Sequence, residues 1–65
     1  EYTLAIDDFT RAINIDSSLA EAYYNRGLAR IANGLKSDGI ADLSKAGELG
    51  LYAAYSVIKR VSTGK

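Results

Sequence analysis

The chain has 65 residues, no cysteine and no histidine, and its eight basic and eight acidic side chains give a formal net charge of +0. This length allows one small domain, and a hydrophobic fraction of 48% is typical of a folded chain. Disulfides and zinc sites built on cysteine or histidine are excluded. Because no basic face is present and no apolar run could span a bilayer, we expect neither nucleic acid nor a membrane as partner.

The same composition argues against catalysis. Without histidine and cysteine the chain lacks the commonest general base and the commonest soft nucleophile. Asp7, Asp8 and Asp42 are the acids that could pair for acid/base work, but the pattern places none of them in an apolar pocket. Asp7 lies one helical turn before Arg11, which predicts a solvated ion pair. The glycines are scattered and form no phosphate-binding loop, so we expect no enzyme, no cofactor and no bound metal.

The beginning of the sequence favours the interpretation that the chain is a piece of a longer protein. The chain contains no methionine, and it enters a helical pattern directly from Glu1, without a clear capping signal. We therefore expect more chain in the parent protein. Any cellular compartment is compatible with the absence of cysteine, and we favour the cytoplasm.

The first segment predicts an amphipathic helix of about four turns. Its apolar stripe consists of Tyr2, Ala5, Ile6, Phe9, Ala12 and Ile13. The helix should end at Asp16, Ser17 and Ser18, whose side chains compete for backbone hydrogen bonds. We expect Leu4, Ile6 and Ile13 to form an uncovered apolar flank, and we predict that the isolated chain self-associates through residues 1–15.

A second helix is predicted from about Leu19 to Asn33. Ser18 and Glu21 have the spacing of a capping box, in which each side chain bonds the other residue's backbone amide. Gly34 should end the helix in the left-handed conformation. The apolar stripe of this helix consists of Ala20, Tyr23, Tyr24, Gly27, Leu28 and Ile31.

Two further helices follow. The third should begin near Lys36 and end at Gly50, and its apolar residues Ile40, Leu43, Ala46 and Leu49 recur at three-residue steps. The fourth carries Ala53, Ala54, Val57, Ile58 and Val61, and residues 62–65 are expected to form a frayed polar tail. Because the connections are short, the four helices should pack as antiparallel neighbours.

The two halves of the sequence align at an offset of 34 residues. The identical pairs are Ile6 and Ile40, Asp8 and Asp42, Ala12 and Ala46, Ala20 and Ala54, and Arg26 and Arg60. The conservative pairs are Phe9 and Leu43, Thr10 and Ser44, Arg11 and Lys45, and Ile15 and Leu49. With this period, the stretch from Ala20 to Gly27 resembles bacterial members of the tetratricopeptide repeat family.

The family motif covers most of the chain. Tyr23 stands at the first aromatic position, followed by Arg26-Gly27, Arg30, Gly39 and Leu43 at the later motif positions. The chain departs from the family's preferred residues at Arg26, Arg30 and Gly39. It also has Ser17 and Leu51 where the family has a proline at the turn. Gly27, Gly39 and Ala46 are small where two helices must approach closely; the alternative for the glycines is simple loop punctuation.

The resemblance implies an all-α fold of helix-turn-helix repeats in a right-handed superhelical stack, an α-solenoid fragment. Residues 1–18 would be the second helix of a partial repeat, residues 19–50 one full repeat, and residues 51–65 a capping helix with its tail. Val57 and Val61 replace the aromatic residue and the glycine that would start a new repeat. The chain would therefore be the C-terminal end of an array.

The function that the resemblance implies is a scaffold that binds a partner peptide or protein on the concave face of the array. The corresponding groove residues are Glu21, Tyr24, Asn25, Leu28 and Ile31. The alternative is that Tyr24, Leu28 and Ile31 only pack against the adjacent repeat. At the level of the whole chain, the alternative is a purely structural cap with the binding groove upstream. The pentatricopeptide family of RNA binders has a similar period but would require a basic face.

Arg26 and Arg30 are four residues apart and should repel each other on one helix face. We hypothesise that Asp42 or Asp8 offsets this repulsion. The alternative is a clamp for an anion or a carboxylate, although clamp-type family members carry lysine at positions that Tyr24 and Leu28 hold here.

Overall fold

The computed structural model describes residues 1–63, and these fold into four α-helices without a strand. The helices are α1 Tyr2–Ile15, α2 Ala20–Ala32, α3 Lys36–Glu48 and α4 Ala53–Thr63. Each packs against its neighbour in the chain, most extensively α2 against α3. The predicted all-α class is confirmed.

The same backbone motif ends α2 and α3. Gly34 and Gly50 have positive φ angles of 86° and 108°, as predicted for residues that close a helix. The next residue after each glycine donates its N–H back into the helix: Leu35 to the carbonyl of Arg30 at 2.7 Å, and Leu51 to the carbonyl of Ala46 at 3.0 Å. These bonds satisfy carbonyls that the helix itself leaves free and turn the chain sharply back.

The predicted capping box at the start of α2 is wrong. Leu19 is the N-cap residue and no side chain caps the helix. The hydroxyl and the N–H of Ser18 both donate to the carboxylate of Asp16, at 2.7 and 3.0 Å. This local turn occupies the serine, because an aspartate two residues earlier offers it a charged acceptor.

Two predictions about helix ends, the start of α1 and the end of α4, are also corrected. At the start of α1, Glu1 does act as a side-chain cap, since its carboxylate accepts the N–H of Leu4 at 3.3 Å. At the other end, α4 continues through Ser62 and Thr63, which were expected in the frayed tail. The Thr63 hydroxyl donates to the carbonyl of Lys59 at 2.9 Å, a bond that holds the last turn. The rest of the expected tail, residues 64–65, lies outside the described residues.

The core lies between α3 and α4 and is completed by α2. Its buried residues are Leu43, Ala46, Ala54 and Val57. Half-buried side chains pack around them: Tyr23, Tyr24 and Ile31 from α2, and Leu51, Ile58 and Val61 from α4 and the turn before it. Small residues at Ala46 and Ala54 let these helices approach closely, which suits a chain too short to build a large core.

The expected apolar flank of α1 is smaller than predicted. Ile13 is buried, at 7% exposure, because α1 packs along α2, where Ala22 is also buried. Ile6 is half-buried. Leu4 does remain open at 65% exposure. The proposed self-association through residues 1–15 stays a prediction, but Ile13 cannot contribute to it.

Candidate functional site

A single carboxylate on α3 accepts hydrogen bonds from two arginines of α2. Asp42 lies on α3 and is buried, with 5% of its surface exposed. Arg26 of α2 donates to it in a two-pronged arrangement, from Nε to Oδ2 and from Nη2 to Oδ1, both at 2.8 Å. Arg30 adds a third bond from Nη1 to Oδ2 at 2.9 Å. Two parallel bonds between a guanidinium and a carboxylate fix direction as well as distance, so α2 has one preferred orientation on α3.

The same arginine reaches a third helix. Arg26 donates from Nη1 to the hydroxyl of Thr10 on α1 at 3.1 Å, and its guanidinium lies 5.6 Å from the centre of the Tyr23 ring. Hydrogen bonds to Asp42 raise the pKa of Arg26 above its ordinary value, although partial burial opposes this. Arg26 is therefore a permanent cation that ties α1, α2 and α3 to one carboxylate.

The hypothesis that Asp42 offsets the two arginines is confirmed, and Asp8 does not take part. Asp8 instead pairs with Arg11 on the surface of α1. The predicted pair of Asp7 with Arg11 is wrong, because the three-residue spacing from Asp8 also brings the two side chains together on a helix.

Two glycines set the distance between α2 and α3. A Cβ atom on Gly27 would lie 2.8 Å from the carbonyl oxygen of Gly39, and one on Gly39 would lie 2.6 Å from the carbonyl oxygen of Gly27. Both distances are too short for real Cβ atoms, so the helices cross where neither has a side chain. The predicted close approach is confirmed, and loop punctuation is excluded for these two positions.

The five predicted partner-binding residues lie on one side of α2, and the structure divides them by exposure. Glu21, Asn25 and Leu28 are exposed, Leu28 by 37%. Tyr24 and Ile31 are half-buried and pack against the core. The Cγ1 atom of Ile31 would lie 2.5 Å from a Cβ on Gly39, so Ile31 faces α3. These positions leave the binding role of the five as a prediction.

Two exposed residues of α4 lie in the same register as the predicted binding residues of α2, and the sequence reasoning did not single them out. At the 34-residue offset, Tyr55 and Lys59 of α4 correspond to Glu21 and Asn25 of α2. Both are exposed, and the ring of Tyr55 lies over Gly47 of α3, where a side chain would collide with it. The offset was the signal that could have found them, because it places α4 in the same register as α2.

Sites of other kinds are not found among residues 1–63. These residues contain no group of acidic, histidine or cysteine side chains that could hold a metal ion. Over the same range, none of the helices is long and apolar enough to cross a membrane. The described surface also has no pocket for a small ligand.

Comparison with known families finds a match. The family described as TPR repeat matches residues 1–34, just over half of the 65-residue chain. The matched range contains α1, the Arg26 and Arg30 side chains and the whole of α2. No curated protein and no solved structure matches the chain significantly.

Proposed function

The chain belongs to the tetratricopeptide repeat (TPR) family, and on this basis we propose that it is a protein-interaction scaffold that binds a partner peptide or protein along α2. Repeats of this family generally mediate protein–protein interaction, and the family is a scaffold without catalytic function. We accordingly propose no catalytic role. The observation that carries the proposal is the exposed row of Glu21, Asn25 and Leu28 on a helix whose other side is fixed to α3.

The exposed row has the chemistry that an extended or helical peptide needs. Leu28 offers apolar contact, and it is bordered by the half-buried ring of Tyr24. The Asn25 amide can both donate to and accept from a peptide backbone. Glu21 adds a negative charge at one end of the row. On α4, Tyr55 and Lys59 would extend this surface by one aromatic ring and one positive charge.

The contact between α2 and α3 supports the proposal, because it lowers the entropic cost of binding on the other side of α2. Arg26, Gly27 and Arg30 hold α2 against α3 through directed hydrogen bonds and close backbone contact. A partner that binds the opposite side would not have to order this helix first, so less binding free energy would be lost to conformational entropy.

A second candidate function is a structural cap at the end of a longer array, and α4 favours it. Val57 and Val61 stand where Tyr23 and Gly27 stand in α2, and both pack towards the core. On the outer side of α4, Lys59 and Arg60 are exposed. A polar outer surface without the glycine suits a helix that ends an array and is not followed by another repeat.

Selection of binders from a random peptide library on the 65-residue chain tests the two candidates. A scaffold yields specific peptides, and Leu28→Glu should weaken their binding by tenfold or more, on the order of 1.4 kcal/mol. Leu35→Glu is the matched control, since Leu35 is a leucine of similar exposure, at 43%, that lies before α3. Circular dichroism should show both variants folded. If no peptide is selected, or if both variants bind equally, the structural cap is the better description.

A further inference from the structure

The two pairs of helices exchange a large and a small residue at one position of the repeat. At the 34-residue offset, Ile13 and Glu21 of the first pair correspond to Gly47 and Tyr55 of the second. Ile13 is buried and Glu21 is exposed. Gly47 has no side chain, and the ring of Tyr55 lies over it. The large apolar side chain therefore belongs to α1 in the first pair and to α4 in the second.

The ring of Tyr55 lies with one face on the backbone of Gly47. A Cβ atom on Gly47 would lie 2.7 Å from Cε2 and 2.8 Å from Cε1 of the ring, with Cζ the nearest atom. These nearly equal distances place Gly47 over the plane of the ring, because an approach within the plane at this end would meet the hydroxyl oxygen first. Since 47% of Tyr55 is exposed, the opposite face of its ring is open to solvent.

We propose that Tyr55 is an anchor residue of the partner-binding surface, and that the partner segment places an aromatic side chain on the open face of its ring and an acidic side chain against Lys59. This inference rests on the proposed function, because it specifies the class of partner for the same surface. It adds a residue that determines specificity and the chemistry that this residue selects.

The contact with Gly47 prepares Tyr55 for this role. A ring that is already held on one face has little rotational freedom left when a partner covers the other face, so little binding free energy is lost to conformational entropy. Aromatic pairs are favoured beyond the area that they bury. Arginine is the other planar side chain that stacks on aromatic rings, and the positive charges of Lys59 and Arg60 on the same helix disfavour it.

Charge complementarity specifies the acidic side chain. Lys59 lies one helical turn after Tyr55 on α4, and both side chains are exposed. Helix α4 contains no acidic residue, and neither Lys59 nor Arg60 takes part in an ion pair within residues 1–63. An acidic side chain of a partner would therefore meet a cation that has no competing carboxylate there.

The distance along α4 predicts the spacing of the two partner residues. Side chains four residues apart on a helix have Cβ atoms about 5–6 Å apart. In an extended segment every second side chain points to the same side, at a spacing of roughly 6–7 Å. An extended partner that runs along α4 would therefore carry its aromatic residue and its acidic residue two positions apart.

A random peptide library selected on the 65-residue chain and then sequenced provides the probe. The selected peptides should be enriched in an aromatic residue two positions from an acidic one. Tyr55→Ala should weaken their binding by about tenfold. Tyr52→Ala is the matched control, since Tyr52 is also an exposed tyrosine, at 74%, but lies in the turn before α4. Selection on the Lys59→Glu chain should replace the acidic residue by a basic one.

A second variant separates binding from folding, because Tyr55→Ala also leaves empty space over Gly47. The double variant Gly47→Ile/Tyr55→Gln gives α3 and α4 the distribution of volume that Ile13 and Glu21 give α1 and α2, without an added charge. Circular dichroism should show this variant folded. It should bind the selected peptides as weakly as the Tyr55→Ala chain does.

The outcomes distinguish this inference from the proposed function. If peptides are selected whose binding depends on Leu28 and not on Tyr55, the scaffold function stands and the anchor role of Tyr55 is wrong. Selected peptides without the aromatic and acidic pair would also overturn it. If no peptide is selected, both proposals are wrong. An increase in mass with concentration that Tyr55→Ala removes and Tyr52→Ala preserves, measured by light scattering, would instead assign the open ring face to a second copy of the chain.

Discussion

Helix α3 is packed on two sides, and the chemistry of the two contacts differs. Against α2 it presents Asp42 to two arginines and Gly39 to Gly27. Against α4 it presents Ala46, and the buried side chains there are Ala54 and Val57. The first contact adds directed polar bonds to its apolar packing, and the second is apolar throughout and depends on volume.

The two contacts of α3 therefore have different structural roles. Bidentate hydrogen bonds tolerate little rotation, so the α2–α3 contact fixes the orientation of the helix that carries the proposed binding residues. Apolar contacts are non-directional, so the α3–α4 contact mainly removes surface from water. We expect variants of the first contact to respond to charge and geometry, and variants of the second to respond to lost volume.

The largest effect should follow from Asp42→Ala. It leaves Arg26 and Arg30 partly buried without their acceptor, and removal of one partner from a buried pair costs about 3 kcal/mol. This value is the lower end of the range of destabilisation measured for such pairs, because 25% of the Arg30 side chain is exposed and can turn to water. Urea unfolding followed by circular dichroism measures the free energy of unfolding.

Asp38→Ala is the matched control for Asp42→Ala, since Asp38 is an exposed aspartate one turn earlier on α3. It should cost only a few tenths of a kcal/mol through the helix dipole. The cost of Asp42→Ala should also fall in 1 M salt, because counterions screen the two uncompensated arginines. Equal costs for the two variants would contradict the polar character of the α2–α3 contact.

The apolar contact is tested by Val57→Ala. Loss of two buried methyl groups together with the cavity left behind should destabilise the chain by about 2 kcal/mol. Val61→Ala, one turn later and half-buried, should cost less. Neither cost should decrease with added salt. A fall comparable to that of Asp42→Ala would remove the distinction between the two sides of α3.

A smaller effect is expected from Gly27→Ala. The new methyl group would lie 2.8 Å from the Gly39 oxygen, a backbone atom that cannot turn away. Overpacking costs roughly 1–3 kcal/mol, and the better helix propensity of alanine returns about 1 kcal/mol, so a net loss of about 1 kcal/mol is expected. Asn25→Ala, on the exposed side of α2, should instead stabilise the chain slightly. A gain in both variants would show that α2 and α3 do not cross at Gly27.

Most of the fold could be predicted from spacing alone. The stripe of Tyr23, Tyr24 and Ile31 and the glycines at 34 and 50 located α2 and the helix ends, because periodicity and left-handed glycines are local properties. The partners of Arg26 and Arg30 could be narrowed to Asp42 or Asp8, since the two aspartates share one register. Which one pairs depends on which helix covers them, and that is a tertiary property.

The other differences between prediction and structure also depend on tertiary contacts, which the pattern of one helix does not contain. Ile13 was expected to be open because the packing of α1 along α2 cannot be read from α1. Tyr55 was passed over because its support is Gly47, a residue whose missing side chain matters only once the ring lies over it. The binding role of Glu21, Tyr24, Asn25, Leu28 and Ile31 was inherited from the family resemblance, and geometry alone does not supply it.

The smallest predicted effect concerns the turn between α1 and α2, where the expected capping box gave way to Asp16. The side-chain and backbone hydrogen bonds from Ser18 lower the pKa of Asp16 below its ordinary value. A lowered pKa means that this interaction stabilises the folded chain above the unfolded pKa and is lost as the pH falls through the folded value. A carboxyl NMR titration should therefore place the midpoint of Asp16 below that of an aspartate in an unfolded peptide. Ser18→Ala should raise the midpoint because it removes the hydroxyl bond, whereas Ser17→Ala should not. If both variants titrate alike, Ser18 is free to cap α2, and the capping box becomes the better description of this turn in solution.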